Sequence, residues 1–368
     1  MHTPEPFRQF VLKVHGRCNL ACDYCYVYRL ADQRWRHRAR AMTPHTATTA
    51  IDRIADHART HHLDTVHLVL HGGEPLLAGR ATIDHTLTTA RARIPAHVEI
   101  SLQTNAVLLD TAWLDLLDTH HVRVGVSLDG APAAHDTHRR THTGHGTHTT
   151  VTHRLHQLTT THRHLFAGLL CVIDPTHDPL TTYAALTEHN PPVIDFLLPH
   201  GTWTTPPPHR HPDPTHTPYG DWLVTAFDHW YDSPPGPTTV RLFDALVGLC
   251  LGGRSTVEGL GTDHPPQVVI ETDGTIERSD ILAATVPTAS ATGLTVDHHP
   301  LDAALAPPPE PAPTCRTCPL LRVCGGGHPA HRHHTTTGFT NPSVYCPDLT
   351  RLITHATTRL TTDLARTR

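Results

Sequence analysis

Six short apolar runs, at 9–15, 66–71, 98–103, 122–128, 165–173 and 193–198, punctuate the first half of the chain, each rich in Val, Leu and Ile. The stretches between them, such as 45–62, 110–119 and 147–162, are long enough for helices. Strands apolar on both faces that alternate with helices predict a parallel sheet with helical crossovers. Periodicity alone leaves open whether that sheet curls into a barrel. Pro-rich sequence at 206–218 reads as an extended loop. From 219 to 251 the pattern turns helical, with Trp222, Phe227, Trp230, Leu242, Phe243, Leu246 and Leu249 as expected core positions. A β-hairpin turning at Asp273-Gly274 is expected over 268–276. A second Pro-rich linker, 306–313, precedes a terminal group of cysteines. These shifts divide the chain into 1–218, 219–305 and 306–368.

The charge of −5 and pI near 6.8 give no electrostatic reason to expect nucleic acid or an acidic membrane as partner. Histidine is abundant, at 37 residues spread along the whole chain, so any one His is presumed structural or solvent-facing until geometry says otherwise. Lys13 is the only lysine. Residues 1–8 lack an apolar signal core, and no run approaches the roughly 18 apolar residues of a membrane span, so a cytoplasmic protein is expected. Nine cysteines at close spacings fit metal ligation in a reducing compartment better than a disulfide framework.

Cys18, Cys22 and Cys25 follow the first run at C-x3-C-x2-C spacing. Three thiolates can hold three corners of a cubic cluster and leave a fourth iron open, whereas a zinc site would borrow a fourth ligand such as His15. Other chemistry-bearing residues also sit just past the ends of the runs, where α/β sheets carry ligands. Gly72, Gly73, Glu74 and Pro75 follow the second; the glycines permit close backbone approach, and Glu74 offers a carboxylate to an ammonium. Thr104 and Asn105 end the third. Ser127, Asp129 and Arg139 follow the fourth, as binders of hydroxyl or carboxylate groups or as helix caps. Cys171 and Cys250 read as core thiols. Cys315, Cys318, Cys324 and Cys346 supply either a tetrahedral zinc site or four corners of a [4Fe-4S] cluster.

The first cysteine set, with Tyr24 before its third Cys, resembles the signature of the radical S-adenosylmethionine (SAM) enzymes. That resemblance implies a partial (β/α)6 TIM-like barrel. It also implies a [4Fe-4S] cluster whose open iron chelates SAM and whose electron cleaves it to a 5′-deoxyadenosyl radical. Gly72-Gly73-Glu74-Pro75 matches the motif that holds the methionine amine; Tyr24, Thr104, Asn105, Ser127, Asp129 and Arg139 become candidate SAM or substrate contacts. The C-terminal segment resembles the SPASM/twitch-like extension of peptide-modifying relatives, which normally holds two auxiliary clusters. Here Ser279 and His328 stand where two of its cysteines are due, which implies one auxiliary [4Fe-4S] cluster on Cys315, Cys318, Cys324 and Cys346. A reduced second cluster on Ser279, His328 and Cys250 is the alternative.

Residues 10–15, 22–28, 197–201, 271–277, 323–327 and 338–346 resemble FxsB-type peptide maturases, and the similarity spans nearly the whole chain. It implies a carbon–carbon bond between an aromatic ring and a β-carbon two residues away, a three-residue cyclophane, in a ribosomal precursor peptide, with a reducing electron donor as second partner. Asp280, next to Ser279, is the candidate base, because sulfatase-maturing relatives carry a catalytic Asp after that Cys; the alternative is an exposed turn residue. Thioether-forming, epimerising and sulfatase-maturing enzymes are rival readings, and a zinc-binding interaction module is the non-enzymatic one. With seventeen residues before Cys18, leader recognition is expected from the barrel rim, the extension or a partner protein.

Overall fold

The computed structural model describes residues 5–234, 236–255, 257–263, 266–307 and 310–366; Pro308 and Pro309 of the second linker lie outside them. Its strands in chain order are β1 (Gln9–His15), β2 (Thr65–Gly72), β3 (His97–Thr104), β4 (Arg123–Ser127), β5 (Phe166–Val172), β6 (Val193–Leu197), β7 (Thr239–Val240), β8 (Gln267–Ile270), β9 (Thr275–Glu277) and β10 (Ala291–Thr295). The first six coincide with the six apolar runs to within two residues at each end. The chain forms two compact units, one of residues 1–128, 135–168 and 265–308, the other of 129–134, 169–264 and 309–368.

In the first unit the strand order is β10-β9-β8-β1-β2-β3-β4. β1 pairs in parallel with both β2 and β8, and β3 joins β2 and β4 in parallel. With a neighbour on each edge, Phe10 to Val14 are all buried. The helix Pro44–Thr60 shows why these segments fold locally as they do. Thr43 caps it by accepting from Thr46 N, Pro44 starts it, and Ala47, Ala50, Ile51, Ile54, Ala55 and Ala58 form its buried face. The expected hairpin is β8–β9, with Gly274 at φ +81° in its turn. Sequence missed two things here: β8 extends the parallel sheet beside β1, and β10 pairs antiparallel with β9.

In the second unit β5, β6 and β7 pair in parallel. The expected helical stretch 219–251 is two helices, Pro218–Asp232 and Arg241–Cys250, separated around Pro234 and Pro237. Proline lacks the N–H and disfavours helical φ/ψ before it, which ends the first helix there. Of the expected core positions only Trp230 is half-buried. Cys171 is buried, but Cys250 is not a core thiol: it ends its helix half-buried, with Sγ 3.5 Å from Thr357 Oγ1. Among the described residues no helix is long and apolar enough to cross a membrane.

Candidate active site

Past β1 the backbone runs against the end of β2. Gly73 N donates to His15 O (2.8 Å) and Glu74 N to Arg17 O (2.9 Å). A Cβ on Gly72 would lie 2.3 Å from His15 O, and one on Gly73 would lie 1.8 Å from Tyr28 Oη and 2.4 Å from Arg17 O. The glycines, expected to admit a ligand, are thus already required by the approach to the cysteine loop. Gly73→Ala should therefore destabilise the fold by about 1–3 kcal/mol through overpacking. Thermal unfolding of the purified variant checks this; an unchanged midpoint would show that the loop yields freely.

Cys18 Sγ accepts hydrogen bonds from Leu20 N (3.4 Å) and Asn105 Nδ2 (3.6 Å). The same amide donates to Asn19 Oδ1 at 2.8 Å. Asn105 is thereby spent on the cysteine loop, where a donor to sulfur tunes a cluster's potential. Burial pushes the Cys18 thiol up to about 12, and Glu74, Cys22 and Cys25 push the same way. Burial also raises Cys25. With Cys22 they make three soft sulfur donors on one short loop, a donor set that fits an iron–sulfur cluster.

Glu74 is fully buried. Its Oε1 accepts from Thr104 Oγ1 (2.7 Å) and Leu76 N (3.1 Å), and its Oε2 from Asn105 N (2.9 Å). Burial raises this carboxyl to about 7 against those bonds. Three of roughly four acceptor positions are filled, and one remains for an ammonium donor. Elsewhere in this unit the Arg139 guanidinium lies over the Tyr24 ring at 5.5 Å, with His138 against the same ring at 5.4 Å. Ser127 Oγ accepts from Gln103 Nε2 at 3.0 Å. Asp129 belongs to the second unit, where its Oδ1 accepts from Val172 N at 3.0 Å.

Asp280 is no exposed turn residue. Its Oδ2 lies 2.9 Å from Lys13 Nζ and accepts from Tyr26 Oη at 2.6 Å, with the Lys13 and Asp280 side chains 5% and 14% exposed. Burial alone would raise this carboxyl, but Lys13, His71 and the Tyr26 hydroxyl outweigh it and hold it well below the usual carboxylate range. Lys13, which burial would lower, is instead raised by Asp280, Glu271 and Glu277. Both groups are therefore charged at neutral pH. A cavity lined by Lys13, Gly16, Val27, Gly72, Gly73 and Asp280, among others, puts the carboxylate and the glycine turn on common walls. Sequence reasoning gave Lys13 and Tyr26 no role; a lone lysine inside an apolar central strand was the available signal.

In the second unit burial pushes the Cys324 thiol up to about 11, and Cys346, Cys315 and Cys318 add to it. These four sulfurs thus lie within electrostatic reach of one another. Among the described residues, His57, His61 and Asp302 form the one set of three such ligand atoms all within 4.8 Å of each other. Candidate ligands of a second auxiliary cluster are committed elsewhere or bare: His328 pairs with Glu258 at 2.8 Å and accepts from Ala330 N, and buried Ser279 Oγ has no hydrogen-bond partner.

Residues 12–158 match the radical SAM superfamily. That match covers 147 of the 368 residues, and over them the chain is similar to radical SAM proteins. Members of that superfamily use a [4Fe-4S] cluster and SAM, for which the first cysteine set and the glycine turn lie within the matched residues. A cysteine-type anaerobic sulfatase-maturating enzyme of Clostridium perfringens is 25% identical over 281 residues, 75% of this chain and 74% of that enzyme. The structure of native anSMEcpe with bound AdoMet and the Cp18Cys peptide superposes with a TM-score of 0.78 at 22% identity, covering 98% of this chain and 99% of that one. Streptococcus suis SuiB bound to precursor peptide SuiA gives a TM-score of 0.61 at 13% identity over 93% of this chain and 77% of SuiB. These likenesses establish the radical SAM α/β fold with a cysteine-bearing C-terminal extension.

Proposed function

We propose that the chain is a peptide-modifying radical SAM enzyme that joins a side-chain β-carbon of a ribosomal precursor peptide to a nearby aromatic ring, forming a three-residue cyclophane. The observation that carries this reading is a charged, buried Asp280 on the wall of the cavity that Gly72 and Gly73 also line. When bound at Cys18, Cys22 and Cys25, a [4Fe-4S] cluster with SAM supplies a 5′-deoxyadenosyl radical able to take a hydrogen from a substrate carbon. Glu74 keeps one acceptor position for the methionine ammonium, with Thr104 and Asn105 fixing its carboxylate. Arg139, backed by Tyr24, offers its guanidinium to a carboxylate, and Ser127 a hydroxyl to the ribose or substrate.

Rearomatising the attacked ring releases one proton and one electron. Asp280 takes the proton. Its depressed pKa makes it a weak base, which suffices because the carbon giving up that proton is strongly acidic. Cys315, Cys318, Cys324 and Cys346 would hold one auxiliary [4Fe-4S] cluster, whose chemistry is electron acceptance. A reducing electron donor is a required partner.

Sulfatase maturation is the second reading, favoured by the Clostridium perfringens relative and by the placing of an Asp after Ser279. Anaerobic coexpression with short peptide genes from the same locus, followed by fragmentation mass spectrometry, separates the two. A peptide lighter by two hydrogens, resistant to fragmentation across three residues and inert to hydrazine, supports the crosslink. A hydrazine-reactive aldehyde supports maturation instead. Reconstituted protein that holds iron yet releases no 5′-deoxyadenosine under reductant would sink both.

A further inference from the structure

A second donor cluster lies in the first unit, apart from the cysteine loop. His57 on the helix Pro44–Thr60 and His61 at its C-cap are one turn apart, and both face Asp302 in the short turn Leu301–Ala304. His57 Nδ1 makes a short contact with Asp302 Oδ1, while His61 Nε2 lies 3.0 Å from Asp302 Oδ2. His57 Nε2 lies 3.2 Å from Phe7 O. Its side chain is 1% exposed, against 26% for His61 and 37% for Asp302.

The hydrogen bonding of His57 fixes which nitrogen faces the carboxylate. A carbonyl oxygen only accepts, so Nε2 carries the proton that Phe7 O receives, and Nδ1 is the atom turned to Asp302. Without an ion, a second proton on His57 and a neutral His61 donating from Nε2 satisfy the two carboxylate oxygens. The three ligand atoms lie within 4.8 Å of one another on a helix end and a facing turn. A divalent ion there replaces the shared proton, the carboxylate moving back from His57 to metal-ligand spacing.

We propose that His57 Nδ1, His61 Nε2 and the Asp302 carboxylate bind one divalent transition-metal ion of the zinc class. Two imidazoles and a carboxylate are the donor types zinc takes, and ligand atoms about 2.1 Å from a tetrahedral ion stand about 3.4 Å apart, close to the His61–Asp302 separation. Phe7 O supplies what a metal-bound histidine ordinarily has, an acceptor on the other ring nitrogen that fixes tautomer and orientation. The ion would clip the turn Leu301–Ala304 to the end of the helix, and the proposal is independent of the radical reaction.

The test uses the cluster-reconstituted full chain, equilibrated with zinc chloride, desalted exhaustively and analysed for zinc per chain. Wild type should retain about one equivalent more than His61→Ala or Asp302→Ala, and its melting temperature should rise with zinc where theirs do not. Equal zinc retention by wild type and His61→Ala overturns the proposal. His61 is partly exposed, so that variant decides the matter even should Asp302→Ala fail to fold. Release of 5′-deoxyadenosine by both variants confirms that the reaction site is intact.

Discussion

Asp280→Asn should leave iron content and 5′-deoxyadenosine release intact while lowering crosslinked product about a hundredfold or more. That factor is the low end for removing a positioned general base. Structure is disturbed as well, because the substitution removes half of a buried pair and leaves the Lys13 ammonium without its nearest counter-charge, at a cost of about 3–5 kcal/mol. The two effects separate in a double variant. Lys13→Met with Asp280→Asn removes the unpaired charge and should regain much of the lost stability, read as melting temperature, yet stay inactive. Recovery of crosslinking in the double variant would reduce Asp280 to a partner for Lys13.

Cys324→Ala carries the second large effect. It removes one of four thiolates from the C-terminal set, and iron should fall from about eight to about four atoms per chain. Release of 5′-deoxyadenosine should persist, since Cys18, Cys22 and Cys25 are untouched, while crosslinked peptide disappears for want of an electron acceptor. Iron content, absorbance near the cluster bands and peptide mass spectra read these three quantities from one preparation. Full iron retention by the variant would remove Cys324 as a ligand, and crosslinking at the wild-type rate would remove the auxiliary cluster from the reaction.

The strands were legible because they lie in the sheet interior. β1 is apolar on both faces since it has neighbours on both edges, and its bounds match the sequence reading residue for residue. β10 was not, because its burial is intermediate or exposed at every position and its pattern has no inside. Cysteine spacing pointed to the Cys18, Cys22 and Cys25 set, since ligands on one short loop encode their geometry locally. The Lys13–Asp280 pair could not be read that way: its members approach only when β8 aligns with β1. Nor can sequence say what a glycine is making room for, which is why Gly72 and Gly73 pointed to a ligand when the chain's own backbone already required them. His57 and His61 were hidden differently, their spacing lost among 37 histidines.

The pairing of β1 with β8 sets a timetable for synthesis. Gln9 reaches its side-chain partner Gln267 across 258 residues, which a ribosome adding about 5–20 residues per second takes roughly 13–50 s to produce. Throughout that interval one edge of an intensely apolar strand is open to any other extended chain, and the ammonium of Lys13 has no counter-ion to settle against. Nascent chains halted before residue 267 should therefore be the species that chaperones hold and that inclusion bodies collect.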